Sequence, residues 1–220
     1  MTAYIALIVE GQTEQACLEV LLQRVWRAIS GANDQLRVVS VVRGKRDRLV
    51  QGARPDLAAK VGQAVVTLAT KSAGEPVAPR LVLLLLDSEG ECPKQVAPPL
   101  LTAAQAIRPD FPLSCVLACT MFENWLVAGA DTLGGVNGLP DTLPAVADCE
   151  AVSGAKWLDA QLRGVDPKRK YKKTVDAKPF TQQFNLVTAR ERSPSFDKLC
   201  RELLRLMPSP PPVDTPPAAN

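Results

Sequence analysis

Short apolar runs alternate along the chain with stretches in which apolar side chains recur every third or fourth position. Tyr4 to Val9 forms the first run and stops at Glu10-Gly11, the pattern of a buried strand ended by a turn. From Thr13 onward, Leu18, Leu21, Leu22, Val25, Trp26 and Ile29 fall at helical spacing, with Thr13 placed to cap the helix and Gly31 to end it. Leu36 to Val42 reads as a second strand and Ala58 to Thr70 as a second helix. Leu81 to Leu86 is aliphatic throughout and bordered by Asp87, as expected of a central parallel strand covered on both faces. Helix formers from about Leu100 to Ile107, an apolar run from Leu113 to Ala118 and a helix start over Phe122 to Ala128 continue the alternation. Strands alternating with helices imply right-handed crossovers and a parallel sheet. The expected fold class is therefore α/β, with a mostly parallel four-stranded sheet flanked by helices.

Beyond Gly129 the pattern changes. Gly134-Gly135, Gly138, Pro140 and Pro144 mark a loop-rich stretch, and Gly134 to Gly138 reads as turns because no strand precedes it and no helix follows, as a nucleotide-binding loop requires. A short amphipathic helix around Lys156 to Leu162 leads into the charged run Asp166 to Lys173. Ser193-Pro194 then opens a last helix, Ser193 as N-cap and Pro194 in the first helical position. From Pro208 the chain holds six prolines in thirteen residues, which predicts a disordered tail. Three segments are expected: a core over 1–130, a loop-rich and helical extension over 131–207 that packs on it, and a tail over 208–220.

Composition narrows the chemistry. The 220 residues contain no histidine, which excludes Ser-His-Asp and Cys-His catalysis and any metal site that needs imidazole. The net charge of +3 permits a nucleic-acid partner without demanding one. The six cysteines show no CxxC pair; Cys17, Cys115 and Cys200 fall within apolar elements and read as reduced, packed thiols. No stretch approaches a membrane span and the N-terminus lacks a signal-peptide pattern, so a cytoplasmic location away from membranes is expected.

The acids are placed where an open parallel sheet gathers ligands, outside the carboxyl ends of its strands. Glu10 closes the first strand and Glu14 lies on the next helical turn; Asp87 and Glu89 close the central strand, and Glu123 follows the fourth. Two carboxylates about 4 Å apart repel by roughly 4 kcal/mol at an effective dielectric near 20, and a divalent cation relieves that cost. Oxygen-only donors select Mg²⁺ or Mn²⁺. A carboxylate after a strand also serves simply as a helix cap or favours the helix dipole.

Glu10-Gly11-Gln12-Thr13-Glu14, Asp87-Ser88-Glu89, Phe122-Glu123-Asn124-Trp125, Tyr171-Lys172-Lys173-Thr174 and Ser195-Phe196 together resemble Toprim-like proteins of the domain-of-unknown-function 4276 family, over about residues 3 to 206. That resemblance implies a Toprim fold, the Mg²⁺-dependent module of topoisomerases, primases and overcoming-lysogenization-defect nucleases. Glu10 and Glu14 match the ExxxE pair of those nucleases and Asp87 the first acid of their DxD pair, making Glu10, Glu14, Asp87 and Glu89 the expected metal ligands. Glu89 departs from the usual Asp, and its longer side chain puts a second metal in doubt. Glu123 is expected as an outer ligand or base, and Lys172 or Lys173 as the cation that neutralises the phosphate. Arg43, Lys45 and Arg46 after the second strand, and Lys168, Arg169 and Lys170, are candidate phosphate-backbone contacts, although a solvated loop explains the second run equally well and the first somewhat better. Tyr171 is placed to stack on a base. The resemblance further implies a partner ATPase in mobile-element or phage-defence settings. The expected function is Mg²⁺-dependent cleavage of DNA or RNA, with a homo-oligomer possible, and the alternative is an inactive Toprim-like scaffold subunit.

Overall fold

In a computed structural model, residues 1–30 and 34–207 are described, with residues 12–16 described as backbone only. Gly31, the capping side chain of Thr13 and the proline-rich tail from Pro208 lie outside the described residues. Four strands are present among those described: β1 (Thr2–Val9), β2 (Gln35–Arg43), β3 (Arg80–Asp87) and β4 (Leu113–Ala118). All neighbours pair in parallel in the order β2-β1-β3-β4. The expected α/β fold class is what forms.

Both faces of the sheet are covered, which explains why its strands read as unbroken apolar runs. Along β1, Ala3, Ile5, Leu7 and Val9 enter one core and Tyr4, Ala6 and Ile8 the other, the period-two alternation of a pleated strand. The first core is closed by α1 (Gln12–Ser30), whose Leu18, Leu21, Leu22, Val25 and Trp26 form its inner stripe, and by the C-terminal helices. The second is closed by α2 (Arg46–Val50), α3 (Leu57–Lys71) and α4 (Pro93–Ile107), through residues such as Leu49, Val61, Leu68 and Leu100.

Helix α4 starts well before the expected Leu100, because Pro93 occupies its first turn, where a missing N–H is harmless, and the Pro98 and Pro99 rings sit on its exposed side. The stretch Arg43 to Arg48, read as a loop, contains the start of α2. The C-terminal half adds α5 (Glu123–Ala128), α6 (Gly154–Val165), α7 (Lys173–Gln183), α8 (Leu186–Arg192) and α9 (Pro194–Leu204). Residues 134–135 form a turn and Val136–Gly138 a single 3-10 turn of helix, with Gly135, Asn137 and Gly138 all at positive φ. Ser193 caps α9 as expected, accepting from the Phe196 N–H, while α8 is capped by the Asn185 side chain.

Cys17, Cys115, Cys149 and Cys200 are buried, and none of the six cysteines forms a disulfide. Burial pushes Cys115 up to about 12 and Cys149 and Cys200 to about 11, so these thiols stay protonated and inert at neutral pH. No helix among the described residues is long and apolar enough to cross a membrane.

Candidate functional site at the carboxyl edge of the sheet

Strand order decides where the ligand crevice opens. From β1 the chain crosses to β2 on one side, then returns to place β3 on the other side of β1. The α1 crossover lies on one face of the sheet, while α3, which joins β2 to β3, lies on the opposite face. The strand order therefore reverses between β1 and β3, and the loops leaving their carboxyl ends diverge and leave a crevice. Val9 pairs with Leu85, so Glu10 and Asp87 leave these neighbouring strands on the same edge.

The loop after β3 is fixed from three directions. An oxygen of Asp87, Oδ1, accepts the Phe122 N–H at 2.8 Å. Glu89 takes the left-handed conformation at φ 51° and Gly90 follows at 88°; the Glu89 N–H meets the Thr120 carbonyl at 3.0 Å, which holds a backbone state that costs a residue with Cβ roughly 1–2 kcal/mol. Underneath lies Arg46, only 3% exposed. Its Nε donates to the Asp87 carbonyl at 3.0 Å and its Nη2 to the Ser88 carbonyl at 3.2 Å. The same guanidinium pairs with Glu91 and lies 3.6 Å from Glu89.

On the far side of Asp87, the buried carboxylate of Glu123 opens α5. Tyr171 donates its hydroxyl to Glu123 Oε1 at 3.1 Å, and Lys173 Nζ lies 3.5 Å from the same oxygen. Burial, reinforced by the Glu123 charge, pushes the Tyr171 phenol far above its ordinary range, so it remains a donor. The Tyr171 ring stacks on Phe180 with centroids 6.4 Å apart, which commits it to the protein interior rather than to a nucleic-acid base.

Glu123 is placed by close backbone packing. The Gly154 N–H bonds Asn124 Oδ1 at 3.1 Å, and a Cβ at Gly154 would stand 2.6 Å from the Glu123 carbonyl carbon and 2.7 Å from the Asn124 nitrogen. Gly154→Ala must push α6 away from α5, and a loss of about 1–3 kcal/mol is expected from overpacking. A thermal melt indistinguishable from wild type would contradict this.

The basic run divides. Arg169 pairs with Asp176, a fully buried carboxylate that also accepts from Asn137 Nδ2 at 2.7 Å and from the Lys172 N–H at 2.6 Å. Lys168, Lys170 and Lys172 are exposed, as are Arg43 at the end of β2 and Lys45 beyond it. Arg46 and Arg169, both candidate phosphate contacts by sequence, are thus committed to groups of the protein itself.

A family profile described as Domain of unknown function (DUF4276) matches residues 9–204. The chain belongs to this family. Searches of curated proteins and of solved structures both return no match. Within the DUF4276 match, the Phe122-Glu123-Asn124-Trp125 and Tyr171-Lys172-Lys173-Thr174 segments, 48 residues apart, meet at Glu123. Ser195, at the opening of α9, accepts the Trp125 Nε1–H at 2.8 Å. Asn124, inside the first of these segments, holds the Cys149 and Val152 carbonyls at 2.7 and 2.8 Å.

Of the acids expected as ligands, Glu10 and Asp87 share the crevice edge, Glu89 is turned to Arg46, and the side chain of Glu14 lies outside the described residues. Among the described residues, no group of three or more His, Cys, Asp or Glu side chains is placed to hold a metal ion. A separate apolar cleft of about 450 Å³ runs along β4 between α4 and α9, and none of the expected acids lines it. Sequence reasoning missed Arg46 as a structural clamp and Asp176 as the buried anchor of the basic run. The one available hint was charge density, since several cations crowded into a short segment gain from an acid close by.

Proposed function

We propose that this DUF4276 protein is a Toprim-like, Mg²⁺- or Mn²⁺-dependent nuclease that hydrolyses phosphodiester bonds of DNA or RNA, acting in the cytoplasm as the effector beside a partner ATPase in phage defence. The observation that carries the reading is the position of Glu10 and Asp87 on adjacent parallel strands where strand order reverses, the place at which such sheets bind ligands.

The donor chemistry fits a hard divalent ion. Two carboxylates plus water is the number Mg²⁺ ordinarily takes from protein, and Glu10 and Asp87 supply two, with Glu14 one helical turn beyond Glu10. Glu89 is the poorer donor because Arg46 already faces it at 3.6 Å, which favours a one-ion site. When bound, such an ion supplies an activated water at neutral pH without imidazole.

The protein's own groups do the rest. Glu123 holds the Lys173 ammonium at 3.5 Å, and Asp87 grips the N–H of the neighbouring Phe122; in this reading Lys173 is the cation that offsets negative charge developing on the phosphate. Tyr171 caps the same carboxylate from the interior and fills the space a bulk water would otherwise take.

The engagement of Glu89 by Arg46 also favours a second reading, a Toprim-like scaffold subunit that binds without cutting. Incubating the purified protein with DNA and RNA in Mg²⁺, Mn²⁺ or EDTA separates the two. Metal-dependent cleavage that disappears in Glu10→Ala and Asp87→Ala supports the nuclease; ion uptake by calorimetry without cleavage, with the ATPase present, supports the scaffold.

A further inference from the structure

Residues 168–173 alternate in direction. Arg169 turns in to the buried Asp176, Tyr171 to Phe180 and Glu123, and Lys173 to Glu123. Lys168, Lys170 and Lys172 are exposed.

The segment is held by its backbone as well. The Lys168 N–H bonds Asp166 Oδ1 at 2.9 Å, the Tyr171 N–H bonds Asp159 Oδ1 at 2.8 Å, and the Lys172 N–H bonds Asp176 Oδ2 at 2.6 Å. Six charged or aromatic residues in a row would ordinarily form a pliant solvated turn. Here a fully buried carboxylate, Asp176, fixes two of them, Arg169 and Lys172, and desolvating that carboxylate costs several kcal/mol unless its partners are kept in place.

We infer that Lys168, Lys170 and Lys172 form a pre-organised track for one strand of nucleic acid, leading to the crevice between β1 and β3. Lys170 and Lys172, on alternate residues of the extended stretch before α7, stand about 6–7 Å apart, and Lys168 continues the row from the turn that the Arg169 N–H closes on the Asp166 carbonyl, which lets each meet a different phosphate of a single backbone. A duplex would present its two backbones on separate lines, and a mononucleotide would engage one lysine. The inner end of the track joins the site directly, since Lys173 follows Lys172 and reaches Glu123.

The direction of the track rests on the nuclease reading, but the binding does not, and it is measured in EDTA. The probe is a labelled single-stranded oligonucleotide of mixed sequence titrated against the full chain across a range of salt. The variants are Lys168→Gln/Lys170→Gln/Lys172→Gln and a charge-matched control, Lys60→Gln/Lys71→Gln/Lys94→Gln.

The track triple is expected to weaken binding at least tenfold and to lower the slope of log affinity against log salt by about 2, since each phosphate contact on a single strand contributes roughly 0.7. The control is expected to bind as wild type does. Equal losses in both triples, no loss in the track triple, no oligonucleotide binding by the wild type, or binding of anionic vesicles in preference to oligonucleotide would each overturn the track. Lysine-dependent binding with no cleavage in any metal keeps the track and removes the nuclease. Asp87-dependent cleavage with the track triple binding normally does the reverse.

Discussion

Arg46→Met is expected to lower stability by about 3 kcal/mol and the melting midpoint by roughly 6–12 °C, at 2–4 °C per kcal/mol for a chain of this size. Methionine keeps most of the aliphatic volume of the arginine, so packing is largely preserved and polar contacts are what is lost. The lost contacts are of two kinds. The ion pairs with Glu89 and Glu91 contribute little, because both carboxylates are about half exposed and water replaces the guanidinium. The carbonyls of Asp87 and Ser88 lose donors beneath the turn, where each unsatisfied group costs about 1–3 kcal/mol. The carbonyl contribution therefore dominates. Arg46→Lys restores the charge but cannot fork to two carbonyls, and is expected to recover less than half. Chemical and thermal denaturation measure both variants, and a methionine variant melting within about 1 °C of wild type would show that the clamp is ornamental.

That clamp also marks the limit of what the amino-acid pattern reveals. The aliphatic run Leu81 to Leu86 specified a doubly covered strand because every residue on both faces had to be apolar, and Ser193-Pro194 specified a helix start because side-chain capping and a missing N–H act within four residues. Glu10 and Asp87 were legible as strand-end acids for the same local reason. Strand order was not, since placing β3 beside β1 depends on which face each crossover helix covers, and the helices that settle it are similarly amphipathic. Helix α7 was hidden because its inner residues, Asp176, Ala177, Phe180 and Thr181, include an acid and a threonine that read as surface. Arg46 and Arg169 read as phosphate contacts or solvated cations because their partners are distant in sequence or buried for reasons visible only in three dimensions. Glu123 showed the opposite case: the residue was singled out, but its grip on Tyr171 and Lys173 closes across separations of 48 and 50 residues.

Asp87→Asn is expected to separate architecture from chemistry at the crevice. The asparagine retains Oδ1, and with it the acceptor for the Phe122 N–H now at 2.8 Å, so the turn beside Glu123 stays closed and stability should change by less than about 1 kcal/mol. What disappears is one of the two negative charges that make the rim attractive to a divalent ion. If the rim acts as proposed, ion uptake measured by calorimetry weakens sharply and cleavage falls by 10² or more, the scale on which removal of a single electrostatic contributor acts in a preorganised site. Asp87→Ala differs in kind, because it also abandons the Phe122 N–H and adds about 1–3 kcal/mol of destabilisation. Both variants should be dead, and only the alanine variant should melt early. An asparagine variant that cuts nucleic acid at the wild-type rate would remove Asp87 from the chemistry, and an asparagine variant that melts as early as the alanine one would show that the charge, and not the hydrogen bond, holds the turn in place.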